Sequence, residues 1–412
     1  MNTAYLARVT FGYPAIDNHA HPLLSAVNRN AIPFEGLISE ANPGQGLLED
    51  APNTLACFRA TGQLSRLYRL SVEPTWEAVK AARGTVDYHQ LCVRCMEPTR
   101  IQCILMDDGL GGVKELAEGY KWHDSYTYSP TKRIVRVEVL AESILLPIVE
   151  TMIASGSIDS LTYATRFIEL VEDAIQAAAA DPEVVAFKSI ACYRTGLDIA
   201  ITTYTEEIER ALMVIVLRYE MTRKLRLADK AVNDMIVLTT LRIAGRCGKP
   251  VQFHTGLGDN DITLKLASPS HMQSIIKAFP DTNFVLLHSS YPYTREAGYL
   301  TANYPNVYLD FGEVFPFLSA EGQRNVVRQV LELAPTNKIL WSTDGHWWPE
   351  SYYLGTVQAR EVLYDVLSAS VKAQEMTEAQ AIGVVKRALF DNANKLYNLG
   401  LEPHIPSSAF EG

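Results

Sequence analysis

Cysteine is scarce, with six in 412 residues, too few for a chain of this size to be held together by disulfides. Two of them, Cys92 and Cys95, form a CxxC. The stretch "VDYHQLCVRCMEP" has the periodicity of an amphipathic helix, however, and no second CxxC follows, so the pair reads as buried packing rather than a redox or zinc motif. Long apolar runs are missing as well: nothing approaches the roughly 18 consecutive apolar residues of a membrane span. The opening "MNTAYLARVTFGYPAIDNHAHPLL" has no basic stretch leading into an apolar one, so no leader is expected and the expected compartment is the cytoplasm. Basic charge is in deficit. The 37 Lys and Arg stand against 47 Asp and Glu, a formal charge of −10, and a surface of that sign does not suit nucleic acid. Repeats, low-complexity tracts and Gly/Ser linkers are also lacking, so no domain boundary is supported and residues 1–412 are expected to fold as one domain. The expected partner is a small-molecule substrate, with self-association into a homo-oligomer left open.

What the chain does have is apolar content, 48% of its residues, enough to fill a large core. Short runs rich in β-branched residues alternate with helix-length periodic segments, the pattern of βα units. Candidate strands are residues 14–19, 101–107, 133–140, 184–190, 250–256, 284–290, 306–312 and 338–345. Eight such units predict an α/β fold closed into a (β/α)8 TIM barrel. About eighty residues separate the first two strands, and three helical stretches within them predict a helical insertion over about 25–98, placed as a cap over one barrel end.

Histidines gather where strands end. In "IDNHAHPLL", His19 and His21 are two apart on an extended segment and so share a face. Lys188 lies in the fourth strand, His254 and His288 end the fifth and sixth, and Asp344 ends the eighth. The C-terminal ends of barrel strands ring one cavity, so these residues become neighbours. Four imidazoles and a carboxylate suit one or two divalent ions, zinc first and manganese second. Just past the strand ends, Tyr193, Arg194, Tyr291, Arg295, Glu313 and His346 are candidates for touching substrate. A guanidinium over an open site suits a carboxylate. "GHWWPESYY" offers either an aromatic wall or a packed loop.

The series "DNHAH", the lysine of "VVAFKSI", the histidines of "VQFHTG" and "VLLHSSYP", and the aspartate of "WSTDGH" resembles the metal-binding series of the amidohydrolase superfamily, in order and across nearly the whole chain. More narrowly, "AFKSIACYRTGLD", "HSSYPYTREAGYLTANYPNVYLDFG" and "STDGHWWPESYYLG" resemble the amidohydrolase-like half of FluG-type and nodulin/glutamine-synthetase fusion proteins. Those relatives carry a glutamine-synthetase domain after the barrel, and the expectation here is a stand-alone version. Glu313 departs from the apolar residue or Ser expected at its position.

The resemblance implies that His19, His21 and Asp344 hold one metal and that His254 and His288 hold a second, with Lys188 carboxylated to bridge them. It implies a hydrolase acting on C–N bonds, with Asp344 and Lys188 in catalytic roles and a small, carboxylate-bearing substrate such as a glutamyl-type amide. Decarboxylation, sugar-acid isomerisation and a non-catalytic regulatory barrel are the alternatives.

Overall fold

Eight parallel strands, each hydrogen-bonded to the next in chain order, form the sheet of a TIM barrel. They are β1 (Ala15–Ala20), β2 (Ile101–Asp107), β3 (Lys132–Arg136), β4 (Val184–Ser189), β5 (Val251–Phe253), β6 (Phe284–Leu286), β7 (Val307–Asp310) and β8 (Ile339–Leu340). The computed structural model describes residues 3–71, 73–111, 115–156 and 160–405. Between β8 and β1 single backbone bonds replace a regular ladder: Asn18 N–H donates to Trp341 O at 3.3 Å, His21 N–H to Gly345 O at 2.7 Å, and Asp344 N–H to His19 O at 3.0 Å. The buried carboxylate of Asp17 reinforces this seam by accepting from the backbone N–H of Thr343 at 2.9 Å and from its hydroxyl.

The strands are short because the chain leaves the ladder as soon as it reaches the barrel mouth. His254, His288 and Asp344 therefore lie just beyond their strands rather than within them. The third strand needs a larger correction. Its alternating β-branched residues extend the expected strand to 140, but the helix Val137–Ser155 begins directly after Arg136. From Val137 onward the buried positions Ala141, Leu145, Val149 and Met152 recur at helical spacing, and packing of that face overrides the local β-propensity.

Residues 25–98 are helical in part, with helices Leu55–Tyr68, Trp76–Thr85 and Tyr88–Met96. They pack against the helix Pro349–Lys372, and the irregular loop before them brings Glu40 to the barrel mouth. The helix preceding β2 is the crossover of a parallel βαβ unit and so belongs to the outer layer. A buried cluster fastens the others there. Glu350 accepts from Arg83 Nε at 2.7 Å and from Tyr68 Oη at 2.6 Å. Cys92 and Cys95 are buried, unpaired thiols in this layer, and burial pushes Cys92 up to about 12, the behaviour of packing residues. Among the described residues no helix is long and apolar enough to cross a membrane.

Candidate metal centre

The barrel mouth holds a cavity of about 410 Å³. Of the residues singled out in the sequence, His21, Lys188, His254, His288, Glu313 and Asp344 line it, with His346, Tyr193 and Arg194 beside them. His19 is fully buried behind His21, their rings 4.9 Å apart.

Hydrogen bonds fix the tautomers of the β1 pair. His19 Nδ1 lies 2.8 Å from Gln252 Oε1. Gln252 donates its amide to Asn18 O at 2.7 Å and to Tyr397 Oη at 2.8 Å, so its oxygen must be the acceptor and His19 Nδ1 the donor. His21 Nδ1 faces the backbone carbonyl of Asp107 at 2.9 Å, which can only accept. Nε2 of each ring is thereby left to face the cavity side, near one oxygen. His19 Nε2 and His21 Nε2 are 3.4 and 3.3 Å from Asp344 Oδ1, which makes no hydrogen bond. Burial first, then the positive charge of Lys188, holds His19 well below the usual histidine range. With metal–ligand bonds near 2.1 Å, adjacent donors sit about 3.0–3.5 Å apart, the separations found here.

His254 Nε2 donates to Leu257 O at 2.6 Å, which leaves Nδ1 as its ligand atom. His288 lies 4.3 Å from His254 between ring centroids and has no hydrogen bond at either nitrogen. Its Nδ1 is 3.3 Å from Glu313 Oε2, also without a hydrogen bond. Two donor groupings have the spacing of a metal site, His19–His288–Asp344 and His254–His288–Glu313. A third, His19–His21–Asp107, has that spacing too. There, though, both Arg136 Nε and Nη2 bind Asp107 Oδ2, at 2.9 and 2.6 Å; burial is the largest influence and raises the Asp107 carboxyl, but Arg136 together with His21 and Lys188 keeps it below its usual range. Asp107 serves instead through its carbonyl, by orienting His21.

The backbone is strained at three of the residues that crowd the mouth. His288, Glu313 and Asp344 have φ of 66°, 60° and 51°, a left-handed conformation that costs roughly 1–2 kcal/mol at a non-glycine residue. Gly312 makes the Glu313 turn feasible, since a Cβ there would lie 2.0 Å from Ser342 Oγ.

Lys188 is level with Arg136 and Gln252 in the ladder. Its Nζ is 3.1 Å from His19 Nε2. Burial, only partly offset by Asp107, draws its ammonium down to about 8. Glu313 is pushed well above the carboxylate range by burial and by the negative charges of Asp344 and Glu40.

Not every expected residue reaches the cavity. Arg295 is exposed, pairs with Glu332 at 3.1 Å and faces a separate surface groove, because the helix that carries it, Thr294–Asn303, lies in the outer layer. Tyr291 is half-buried outside the lining. Arg194 does line the cavity but is paired with Glu142 at 3.2 Å. His346 lines it with Nδ1 held by Asp344 O at 2.8 Å. Of the aromatic pair, Trp347 faces the cavity while Trp348 is buried against Phe34. Sequence reasoning missed Gln252, Asp107, Arg136 and Glu40. A lone Gln amid "VQF" and an Asp closing β2 were readable signals; Arg136 was hidden by the overextended third strand, and Glu40 sits in an irregular loop.

The amidohydrolase family model matches residues 157–399. Protein fluG of Emericella nidulans is 44% identical over 96% of this chain, and the chain spans about half (47%) of that curated relative. Among solved structures, a putative metal-dependent hydrolase from Lactobacillus casei superposes with a TM-score of 0.76 at 24% identity, covering 96% of this chain and 97% of the other. A uronate isomerase from Thermotoga maritima does so with a TM-score of 0.64 at 12% identity, covering 96% and 97%. At these identities the structural likeness speaks for the barrel, while the family match spans β4 to β8 and thus four of the residues that crowd its mouth, Lys188, His254, His288 and Asp344. The chain belongs to the amidohydrolase family.

Proposed function

We propose that the protein is a metal-dependent hydrolase that cleaves the C–N bond of a small amide, and that its substrate carries a carboxylate. The observation that carries this reading is the approach of two imidazole Nε2 atoms, their Nδ1 partners being Gln252 and the Asp107 carbonyl, to one oxygen of Asp344 that makes no hydrogen bond. His19, His21 and Asp344 would hold the ion, with zinc preferred by donors of this kind and manganese second. A divalent ion so held supplies a polarised carbonyl and a water acidic enough to ionise near neutral pH.

The protein's own groups do the rest. The second carboxylate oxygen of Asp344 can take a proton from the attacking water and deliver it to the leaving nitrogen. Lys188 lies between the two histidine clusters, and a carboxyl group on its amine would turn a cation beside His19 into an anionic bridge. Arg194 is the guanidinium placed to meet a substrate carboxylate, at the expense of its pairing with Glu142. Tyr193 and Trp347 wall the cavity, and His346, whose Nδ1 donates to Asp344 O, can accept a hydrogen bond through its other ring nitrogen.

Metal-replete protein should be offered small acidic amides, γ-glutamyl amides among them, beside aromatic carboxylic acids and sugar acids. Release of ammonia or amine is expected from the amides, falling by about 10²–10⁴ in Asp344→Asn. Carbon dioxide or an isomerised sugar acid, with no amine, would replace hydrolysis by the corresponding lyase or isomerase chemistry.

A further inference from the structure

We infer that Glu313 is itself a metal ligand, completing a second cation site with His254 and His288. The inference rests on the metal-dependent reading of the same cavity and extends it to a residue that neither the family resemblance nor the HxH pair requires. Three observations lead to it. First, the ligand atoms of His254, His288 and Glu313 lie within 4.8 Å of one another, and the 3.3 Å between His288 Nδ1 and Glu313 Oε2 is the spacing of two donors on one ion. Second, His288 and Glu313 are 1% and 2% exposed, yet both His288 nitrogens and Glu313 Oε2 lack hydrogen bonds. Buried polar atoms are seldom left in that state without an occupant.

The third observation is charge. The cations around the cavity are mostly spoken for, Arg136 by Asp107, Arg194 by Glu142 and Arg226 by Asp261. Glu313, Asp344, Glu40 and Asp259 remain, facing Lys188 among the lining residues. None of the lining guanidinium groups pairs with Glu313, and an ion between His254, His288 and Glu313 would be its cationic partner. His288 and Glu313 both have positive φ and follow successive strands, β6 and β7.

The test is a titration of chelator-stripped protein with Zn²⁺ against a chromophoric competitor, repeated with Co²⁺ to follow its ligand-field absorption. Wild type should take up two equivalents. Glu313→Gln should keep the first and weaken the second by more than the 10–100-fold that loss of an outer-shell partner costs, with a changed cobalt spectrum. Glu313→Asp should retain part of the second site, and Lys188→Ala should still bind both ions. The stripped Glu313→Gln protein should unfold no earlier than stripped wild type, because it has lost a buried carboxylate that crowds Asp344; retention of the first ion reports its folding independently. Two ions bound by Glu313→Gln with wild-type affinity, or a second ion lost in Lys188→Ala but kept in Glu313→Gln, would overturn the assignment. A wild type that binds a single ion would overturn it too, while leaving the proposed hydrolase intact as a one-metal enzyme.

Discussion

His19 shows how one side chain is prepared for the proposed metal. Its ring is buried, its Nδ1 proton is committed to Gln252, and Gln252 is fixed in turn by Asn18 and Tyr397. Replacing Gln252 with Leu removes the acceptor and frees the tautomer, so metal affinity should fall about 10–100-fold with little change in the number of ions bound at saturation. Competitive chelator titration measures this, and an unchanged affinity would mean that the amide merely fills space. At this scale the sequence was partly legible. Histidines and an aspartate at strand ends are visible as letters, because a strand's end and its two-residue period place them. The role of Gln252 depends on which of its atoms faces which neighbour across 233 residues, and no local pattern encodes that. Arg295 failed for a related reason: a position just past a strand does not say whether the following helix turns its residues inward or, as here, toward Glu332.

Among the elements, the connection between β2 and β3 is tied to the segment after β1 by His123. That buried ring accepts from Leu23 N–H through Nε2 at 3.1 Å and donates through Nδ1 to the carbonyls of Tyr120 and Gly119. Burial draws His123 down to about 4, against about 6.5 in an unfolded chain. Between those values the unfolded state binds more protons, so stability must fall as pH drops from 6.5 towards 4, by about 3 kcal/mol for this group. Protonation also destroys the acceptor that holds Leu23. Denaturant unfolding at several pH values should show a shallower decline in His123→Asn than in wild type; parallel curves would assign the acid sensitivity to other buried histidines. The flanking helices make a second case. Glu350 is fully buried beneath Arg83 and Tyr68, and Arg83→Met, which strands that carboxylate, should cost about 3–5 kcal/mol. Part should return in the Arg83→Met/Glu350→Gln double variant, read by urea midpoints. The helices themselves were evident from periodicity, but the ion pair that ties them to Glu350 was not, because it joins residues 267 positions apart.

Across the whole molecule, the seam that closes the barrel is also where the ligands are set. The bonds joining β8 to β1 position His19, His21 and Asp344, so closing the sheet and assembling the site are one event. The fold class and the order of eight strands were readable because each βα unit repeats the same local signal. The seam was less so, since β8 spans two residues and the strand-like run to 345 is mostly loop. An ion bound only by the folded chain stabilises it through mass action, by about 4 kcal/mol at a thousandfold excess over Kd. The central claim is that this mouth is a metal site, and elemental analysis of protein purified without chelator tests it most directly, wild type beside His19→Ala. A divalent transition metal at one to two equivalents is expected in wild type, with a clear loss in His19→Ala. A folded wild type with only traces of any such metal, or a His19→Ala protein with the same content as wild type, would contradict it.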